Sequence, residues 1–343
     1  MAKAFAHAAV ILICLVLTAV IYGCSPQEQP EPLKEEFFNY TAYFCSEQDC
    51  LQAFASQLRS AKASISCALY SIDNNLLADL ASFHNASANI TLNIVADKNS
   101  KVAEKFVQGN SNDGFVLKRN SKGIMHNKYC VIDDFEVITG SFNPTAAAKN
   151  DYNNMLVINS TTLAAFYSQN FNMLKENPPQ TQPQIKPVPK VAALNDTIVK
   201  VHFCPQDNCA SAVKRELEKA NSSIIFAAYS FTSSEIANEL ILKSREGVHV
   251  SGVIEKSTTG NTYSKDKVLA ANGIPVLLES SKKLMHHKFF IVDNRTLITG
   301  SFNPTENANS RNDENIIIIT NAAVSEKYSD EFYRIYGDTN VHR

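Results

Sequence analysis

The chain is a tandem repeat, and this feature constrains its fold more than any other. The segment YFCSEQDC at 43–50 matches HFCPQDNC at 202–209. The longer segment MHNKYCVIDDFEVITGSFNPT at 125–145 matches MHHKFFIVDNRTLITGSFNPT at 285–305, with 12 of 21 positions identical. Because each repeat is long enough to bury a core of its own, we expect two similar domains.

The repeats also set the expected domain boundaries. The first domain is expected at 39–176 and the second at 197–343. The segment between them, 177–196, contains five of the 12 prolines, a composition typical of an extended linker. An acidic, proline-containing tether is expected at 25–38.

Each repeat alternates short apolar runs, rich in β-branched residues, with amphipathic segments. This alternation predicts a β-sheet that is covered by helices. The run IIIIT at 316–320 has no polar alternation, which indicates a strand that is buried on both faces. The expected fold class is therefore α/β, with two similar domains related by a pseudo-twofold axis, each a mixed β-sheet flanked by helices on both faces.

The N-terminal segment 1–24 is expected to be a signal or lipoprotein anchor. Its apolar run at 8–21 has 14 residues, whereas a membrane-spanning helix needs about 20. The run ends at Gly23-Cys24, which resembles the lipobox of prokaryotic lipoproteins and makes Cys24 a candidate lipidation site. An uncleaved membrane anchor and plain secretion are the alternatives. Each of the three exports the protein, and we expect it to be anchored at the cell surface or in the periplasm.

Four of the eight cysteines form two copies of one spacing, C-x4-C, at Cys45–Cys50 and Cys204–Cys209. In an exported chain this spacing predicts two short disulfide loops. A zinc site that takes two cysteines from each repeat is the alternative. Cys67 and Cys130 lie in apolar, strand-like runs and are expected to be buried small hydrophobic residues.

Each repeat carries an H-x-K-x4-D motif that is followed by G-S-x-N. The residues are His126, Lys128, Asp133, Ser141 and Asn143 in the first repeat, and His286, Lys288, Asp293, Ser301 and Asn303 in the second. We interpret the histidines and lysines as catalytic and the serines and asparagines as substrate-binding residues. The two motif aspartates are grouped with the catalytic set, but are expected to anchor the structure and not to carry protons.

The spacing of these residues gives their side chains a common direction. His126 and Lys128 are two residues apart, so in a strand they leave the same face of the sheet. Ser141 and Asn143 repeat this step. An imidazole, an ammonium, a hydroxyl and an amide together suit a tetrahedral oxyanion, most simply a phosphate. The sequence has no paired-histidine helix or carboxylate cluster, so neither a metal nor another cofactor is expected.

The two motif blocks and their spacing resemble the phospholipase D superfamily over about 40–335, and the compact repeats are most similar to its bacterial endonuclease branch. The resemblance implies two phospholipase D-like domains and metal-independent cleavage of phosphodiesters through a covalent phosphohistidine. The second histidine would act as the general acid. In that branch two identical chains build one site, whereas here one chain would supply both halves, so a monomer is expected.

In this family a carboxylate forms a hydrogen bond with the motif histidine, and the resemblance assigns that position to Glu314. We expect Glu314 to orient His286 and to raise its pKa, which suits an acid/base role and leaves His126 as the nucleophile. The matching position in the first repeat is Asn154, or Asn153 if one gap is allowed. Exchanged roles of the two histidines, or a different partner such as Asp151, are the alternatives.

Three functions are compatible with these features. The first is an exported nuclease that acts on DNA or RNA, with basic clusters at 118–122 and 282–283 guiding phosphates to the site. The second is a phospholipase D or phospholipid transferase that acts at the membrane. The third is a non-catalytic binding protein. The net charge of -2 means that any anionic substrate must be held locally.

Overall fold

A computed structural model describes most of the two repeats. The described residues are 33–35, 38–86, 89–104, 116–120, 122–176 and 190–337. The expected anchor segment with Cys24, and most of the proline-rich linker, lie outside these residues. From Leu33 onward the chain forms one compact unit. In the part that is described, none of the helices combines the length and the apolar character that crossing a membrane requires.

The first repeat forms a seven-stranded mixed sheet, preceded in the chain by a short strand β1 (Leu33–Glu35). Its strands are β2 (Asn39–Phe44), β3 (Ser64–Leu69), β4 (Thr91–Asp97), β5 (Val116–Arg119), β6 (Lys128–Ile132), β7 (Glu136–Gly140) and β8 (Asn154–Asn159). They lie in the order β2-β8-β7-β6-β3-β4-β5, with β3, β4 and β5 parallel to one another. The helices are α1 (Cys50–Arg59), α2 (Asn74–Ala86) and α3 (Thr161–Glu176).

The second repeat reproduces this sheet and adds to one edge. Its strands are β9 (Lys190–Leu194), β10 (Thr197–Cys204), β11 (Ser223–Ala228), β12 (His249–Glu255), β13 (Val276–Glu279), β14 (Lys288–Val292), β15 (Thr296–Gly300) and β16 (Glu314–Thr320). The order β10-β16-β15-β14-β11-β12-β13 matches that of the first sheet strand by strand. The helices are α4 (Cys209–Leu217), α5 (Ser234–Arg245), α6 (Asp266–Ala271), α7 (Glu306–Ser310) and α8 (Ala322–Tyr336). The expected fold class is confirmed.

The linker and the tether are shorter than the sequence predicts. Residues 190–194, expected in the linker, form β9, which pairs with β10, and β1, from the expected tether, lies parallel to β9. The prolines end at residue 189, and the following Ala192 and Leu194 are fully buried. The alternating burial of this segment is that of a strand, and β9 lies in the second sheet between β1 and β10.

The two repeats share one apolar core. Side chains from both sheets and from α3 and α8 belong to a single buried cluster, whereas each repeat has a separate outer cluster beneath its remaining helices. In the shared core the ring of Tyr167 makes edge contacts with Tyr129 and with Phe203 of the other repeat. Such rings bury large areas, so the shared core fixes the two sheets against each other.

Three disulfides are present among the described residues. The two predicted loops are confirmed, at Cys45–Cys50 and Cys204–Cys209. The expectation for Cys67 and Cys130 is wrong in one respect: they are buried, but bonded to each other. They lie directly opposite on antiparallel β3 and β6, with Cα atoms 4.1 Å apart. The second repeat has stacked Phe226 and Phe290 at these positions, so the disulfide takes the place of an aromatic pair.

Candidate active site

The motif histidines precede β6 and β14, where the main chain of each repeat is joined to the other. The N–H of His126 donates to the carbonyl of Asp313 at 2.9 Å, and the N–H of His286 donates to the carbonyl of Tyr152 at 3.0 Å. These bonds belong to two parallel bridges between the repeats. Both histidines are therefore fixed at the boundary between the two sheets.

The side chain of His126 is held by a carboxylate of the other repeat. Its Nδ1 lies 2.9 Å from Oε2 and 3.0 Å from Oε1 of Glu314, which is fully buried. Glu314 also accepts hydrogen bonds from Ser301 Oγ at 2.7 Å and from Asn312 Nδ2 at 3.1 Å. The expected pairing of Glu314 with His286 is thus wrong. Asp313 pairs with Met125 in the loop before β6. The residue after it, Glu314, therefore faces His126 of the first repeat and not His286.

The side chain of His286 is held by an amide. Its Nδ1 donates to Asn153 Oδ1 at 2.8 Å, and Ser141 Oγ donates to the same oxygen at 3.1 Å. Asn153 therefore holds the position that corresponds to Glu314, as the alignment with one gap gives. Asp151 accepts a main-chain N–H of the second repeat's motif loop and is not the partner of the imidazole.

The motif serines have a different task from the one expected. Ser141 and Ser301 are fully buried, and their hydroxyls hold the side chains that contact the histidines, so the substrate-binding role is corrected to a supporting one. Asn143 and Asn303 differ from the serines in this respect. Their Oδ1 atoms are buried and make no hydrogen bond within the described residues.

Each motif lysine is fixed between a carbonyl and a tyrosine ring. Lys128 Nζ donates to the carbonyl of the first motif histidine at 2.6 Å and lies 5.3 Å from the centre of the Tyr70 ring. Lys288 Nζ likewise donates to the carbonyl of the second motif histidine at 2.8 Å and lies 5.5 Å from the centre of the Tyr229 ring. The two tyrosines also make edge contacts with the histidine rings. Sequence reasoning missed them, although the Tyr-Ser that ends both aligned strands was the available signal.

The electrostatics of the site favour a bound anion. Burial lowers the pKa of Lys128 to about 7 although Glu314 opposes the shift. Burial, followed by the charge of Lys128, lowers the pKa of Lys288 well below its usual range. Burial also lowers the pKa of His126, against the effect of Glu314, and the pKa of His286 is far below normal because of burial and both lysines. An anion among these four groups would raise their pKa values, so binding of a phosphate would favour their protonated forms.

The motif aspartates do not reach the site. Asp133 accepts main-chain N–H groups of Lys62, Ala63 and Ser64, and Asp293 does the same for residues 221–223. Each follows its strand at the end opposite the histidine. Their grouping with the catalytic residues is corrected, whereas the anchoring role agrees with these contacts.

Exposed basic residues surround part of the site. Lys122 and Arg311 are exposed on neighbouring loops, which are joined by a hydrogen bond from Gly123 N to Arg311 O at 3.0 Å. Lys282 is exposed on the corresponding loop of the second repeat. Its neighbour Lys283 instead lies over the Tyr152 ring. The rim can therefore attract an anionic substrate from both sides.

The family follows from a match that covers both repeats. The model described as "Cardiolipin synthase, PLD-like domain" matches residues 54–175 and 213–336. The chain belongs to this phospholipase D-like family. A phospholipase D of Rickettsia typhi is 32% identical over 164 residues, which are 48% of this chain and 79% of that protein. These similarities assign the chain to the phosphodiesterases of the phospholipase D superfamily.

One further relative and one solved structure are also similar to the chain. The mitochondrial cardiolipin hydrolase of Xenopus laevis is 31% identical over 136 residues, 39% of this chain and 65% of that protein. The crystal structure of phosphatidylserine synthase from Haemophilus influenzae has a TM-score of 0.68, covering 87% of this chain and 86% of that one. At 11% identity the second likeness concerns the fold alone.

Proposed function

We propose that the chain hydrolyses phosphodiesters without a metal ion, through a covalent phosphohistidine on His126. The observation that carries this proposal is the unequal support of two histidines in one site. His126 lies on the carboxylate of Glu314, and His286 lies on the amide of Asn153. Two histidines that act on one phosphate must take different roles, and the unequal partners make the two imidazoles chemically different.

In the first step, Nε2 of His126 attacks the phosphorus atom and the bond to the leaving oxygen breaks. His286 gives its proton to that oxygen, so the alcohol leaves neutral. In the second step, His286 takes a proton from water, the water oxygen bonds to phosphorus, and the bond to His126 breaks. Lys128, Lys288 and the Nδ2 groups of Asn143 and Asn303 donate to the non-bridging oxygens, where negative charge develops.

The partners of the histidines match these roles. Glu314 accepts the Nδ1 proton of His126 and makes Nε2 more basic, which favours a nucleophile. Asn153 carries no charge, so a protonated His286 gives up its proton more readily than it would beside a carboxylate. The anionic substrate raises the pKa of the buried His286 on entry and allows it to bind that proton.

We favour nucleic acid as the substrate, on the basis of the surface around the site. The exposed Lys122, Lys282 and Arg311 suit a polyanion that extends beyond the reacting phosphate. The described residues with large, exposed hydrophobic side chains are Leu33, Leu117, Phe135, Met173, Leu242, Tyr263 and Val268. None of them is among the residues that hold a motif histidine or lysine.

Cleavage or transfer of a phospholipid is the second candidate. It is favoured by the relatives named phospholipase D and cardiolipin hydrolase. A lipid anchor at Cys24 would place the site beside a membrane, where such substrates lie. Export is supported by the three disulfides, since disulfides persist in oxidising compartments.

The test is to incubate the full chain with plasmid DNA, RNA and phosphatidylcholine vesicles in excess chelator. Cleavage of a nucleic acid supports the first candidate, and release of choline supports the second. Activity that appears only after a divalent metal is added would contradict the proposed chemistry. Cleavage of none, with either chelator or metal, would favour a non-catalytic binding protein.

A further inference from the structure

A third buried histidine, His287, lies directly behind the site. Its side chain is fully buried, and Nε2 lies 2.9 Å from Oε1 of Glu331 on α8. Its Nδ1 lies 3.0 Å from Nδ2 of Asn154. The proposed chemistry uses neither His287 nor Glu331, although an ionisable pair buried this deeply is costly to retain.

The surrounding hydrogen bonds fix the proton of His287. Asn154 Oδ1 accepts from Thr299 Oγ1 at 3.1 Å and from the Tyr328 hydroxyl at 3.2 Å, which turns its NH2 group toward the imidazole. An NH2 group only donates, so Nδ1 of His287 must accept. The ring proton therefore lies on Nε2 and is donated to Glu331.

The same amide connects this pair to the catalytic machinery. Asn154 donates to Ser141 Oγ from its main-chain N–H at 3.0 Å and from Nδ2 at 3.3 Å. Ser141 in turn donates to Asn153 Oδ1 at 3.1 Å, and this oxygen accepts the Nδ1 proton of His286. A continuous hydrogen-bonded chain thus extends from Glu331 to His286.

The first repeat has no such extension. Asn127 corresponds to His287, and its side-chain amide makes no hydrogen bond within the described residues. Asn170 corresponds to Glu331 and accepts a hydrogen bond from the hydroxyl of Tyr129 at 2.7 Å. In that repeat the motif histidine contacts a carboxylate directly, through Glu314. The additional pair His287–Glu331 therefore occurs in the repeat whose motif histidine, His286, contacts the uncharged amide of Asn153.

We propose that His287 and Glu331 are positioning residues for His286. The neutral His287 holds the amide of Asn154 in one orientation. That orientation directs the Ser141 hydroxyl to Asn153, which then accepts Nδ1–H of His286 and leaves Nε2 for the substrate. The assignment of a catalytic task to His286 rests on the proposed function, whereas the tautomer that the chain imposes does not.

Burial is the main reason why His287 favours the neutral form. Burial lowers the pKa of His287 although Glu331 opposes the shift, and Lys288 and Arg334 lower it further. Arg334 Nη2 lies 2.7 Å from Glu331 Oε2, and its Nη1 lies 3.1 Å from Oε1 of Glu47 in the first repeat. The other groups packed on the ring are the aromatic side chains of Phe44 and Phe289, which do not titrate.

The direct test is nitrogen NMR on the full chain with 15N-labelled histidine. In the wild type we expect His286 as the Nδ1–H tautomer and His287 as the Nε2–H tautomer. His287→Leu should remove the preference of His286 for Nδ1–H. The matched control Asn127→Leu changes the corresponding buried residue of the first repeat and should leave the tautomer of His286 unchanged. A folded His287→Leu protein in which His286 stays Nδ1–H would overturn the proposal.

Kinetics supply a second readout, which purely structural damage would not reproduce. An alkyl leaving group needs the proton of His286, whereas p-nitrophenolate does not. We expect His287→Leu to lower kcat for an alkyl phosphodiester about 10- to 100-fold with little change in KM, and to lower the burst of p-nitrophenolate much less. Equal losses for both esters would contradict the positioning role.

A variant that does not fold and a wild type that is inactive can both be distinguished from failure of the proposal. If His287→Leu does not fold, the test uses His287→Asn, whose side chain keeps a hydrogen-bond acceptor for Asn154. This variant should retain the Nδ1–H tautomer of His286 to a greater extent than Glu331→Ala does. The reverse order would contradict the proposal. If the wild type cleaves neither ester, the proposed function fails, and the tautomer measurement still decides whether His287 positions His286.

Discussion

Glu314 Oε2 lies 2.9 Å from Nδ1 of His126, a residue of the other repeat. The corresponding Asn153 lies 2.8 Å from Nδ1 of His286, again across the boundary between the repeats. Neither repeat therefore holds a complete site, because each histidine depends on a side chain of the other. In a duplicated chain, one of these two partners can change while the other stays the same. Here one histidine contacts a carboxylate and the other an amide, so the two imidazoles differ in basicity.

His126→Ala and His286→Ala should each lower turnover by about 10³-fold or more, because the proposed mechanism requires both histidines to act on one phosphate. An equimolar mixture of the two variants should stay inactive, since a single chain supplies both halves. The measurement is turnover of a phosphodiester by each variant and by the mixture. Half of the wild-type rate in either single variant would indicate two independent sites, and recovery in the mixture would indicate a site formed by two chains.

Glu314→Gln should move the acid limb of the pH profile of kcat, which reports the enzyme–substrate complex, to lower pH. Glu314 raises the pKa of His126, and the nucleophile must be unprotonated, so removing the charge keeps His126 unprotonated in more acidic solution. The maximal rate should fall about 10²-fold, because the imidazole becomes less basic. Initial rates measured from acidic to mildly alkaline pH test this, and an acid limb that stays in place or moves to higher pH would contradict the pairing.

The matched variant for this experiment is Asn153→Asp, which gives His286 a carboxylate as well. A carboxylate stabilises the imidazolium, so the pKa of His286 should rise and the basic limb should move to higher pH. The acid limb, which reports His126, should not move. A shift of the acid limb alone would mean that the two histidines have exchanged roles.

The repeat itself made most of the fold predictable. Seven strands of one sheet occur in the same order in the other, as the alignment of 125–145 with 285–305 requires. The histidines and lysines of the site were predictable too, because their spacing fixes one face of a strand. The partner of His126 was not predictable from one repeat. Which residue Glu314 contacts depends on main-chain pairing between the repeats, and local sequence does not encode that pairing.

Register explains the other differences between expectation and structure. The disulfide Cys67–Cys130 needs the two cysteines directly opposite on β3 and β6, and the pairing of two residues that are 63 positions apart cannot be read from either run. The burial of Ser141 and Ser301 likewise depends on contacts outside each motif. Both hydroxyls accept a main-chain N–H from the start of the next strand, at Asn154 and Asn315, so they turn away from the substrate.

Lys128→Met should abolish activity and stabilise the fold at neutral pH. The pKa of Lys128 is about 7 in the folded chain and near its ordinary value of 10.5 when unfolded, so between these two values the unfolded state binds more protons. The resulting penalty is fully present below pH 7 and disappears as pH rises toward 10.5. We expect the free energy of unfolding at neutral pH to rise by about 1–4 kcal/mol.

Urea unfolding of Lys128→Met at neutral pH and at about two pH units higher tests this expectation, and the gain should be smaller at the higher pH. The control is Lys149→Met, which changes an exposed lysine and should alter stability by no more than about 0.5 kcal/mol. A Lys128→Met protein that is less stable than the wild type at neutral pH would show that the lysine contributes to folding more than its burial costs.

Removing the disulfide between Cys67 and Cys130 should destabilise the chain more than removing the one between Cys45 and Cys50. The first closes a sequence separation of 63 residues and the second a separation of 5. Loop-closure entropy then predicts losses of about 4 kcal/mol and about 2 kcal/mol. Urea unfolding of the two double Cys→Ala variants measures both losses, and equal losses or the reverse order would contradict this expectation.

In the proposed mechanism, one chain carries one site and His126 is its nucleophile. The most direct measurement is to quench the reaction in alkali during turnover and to locate the phosphoryl group by mass spectrometry. We expect at most one phosphoryl group per chain, attached to His126, and a larger trapped fraction in His286→Ala with a p-nitrophenyl ester because the water-activating base is missing. A phosphoryl group on His286, or one on each histidine of the same chain, would contradict the claim.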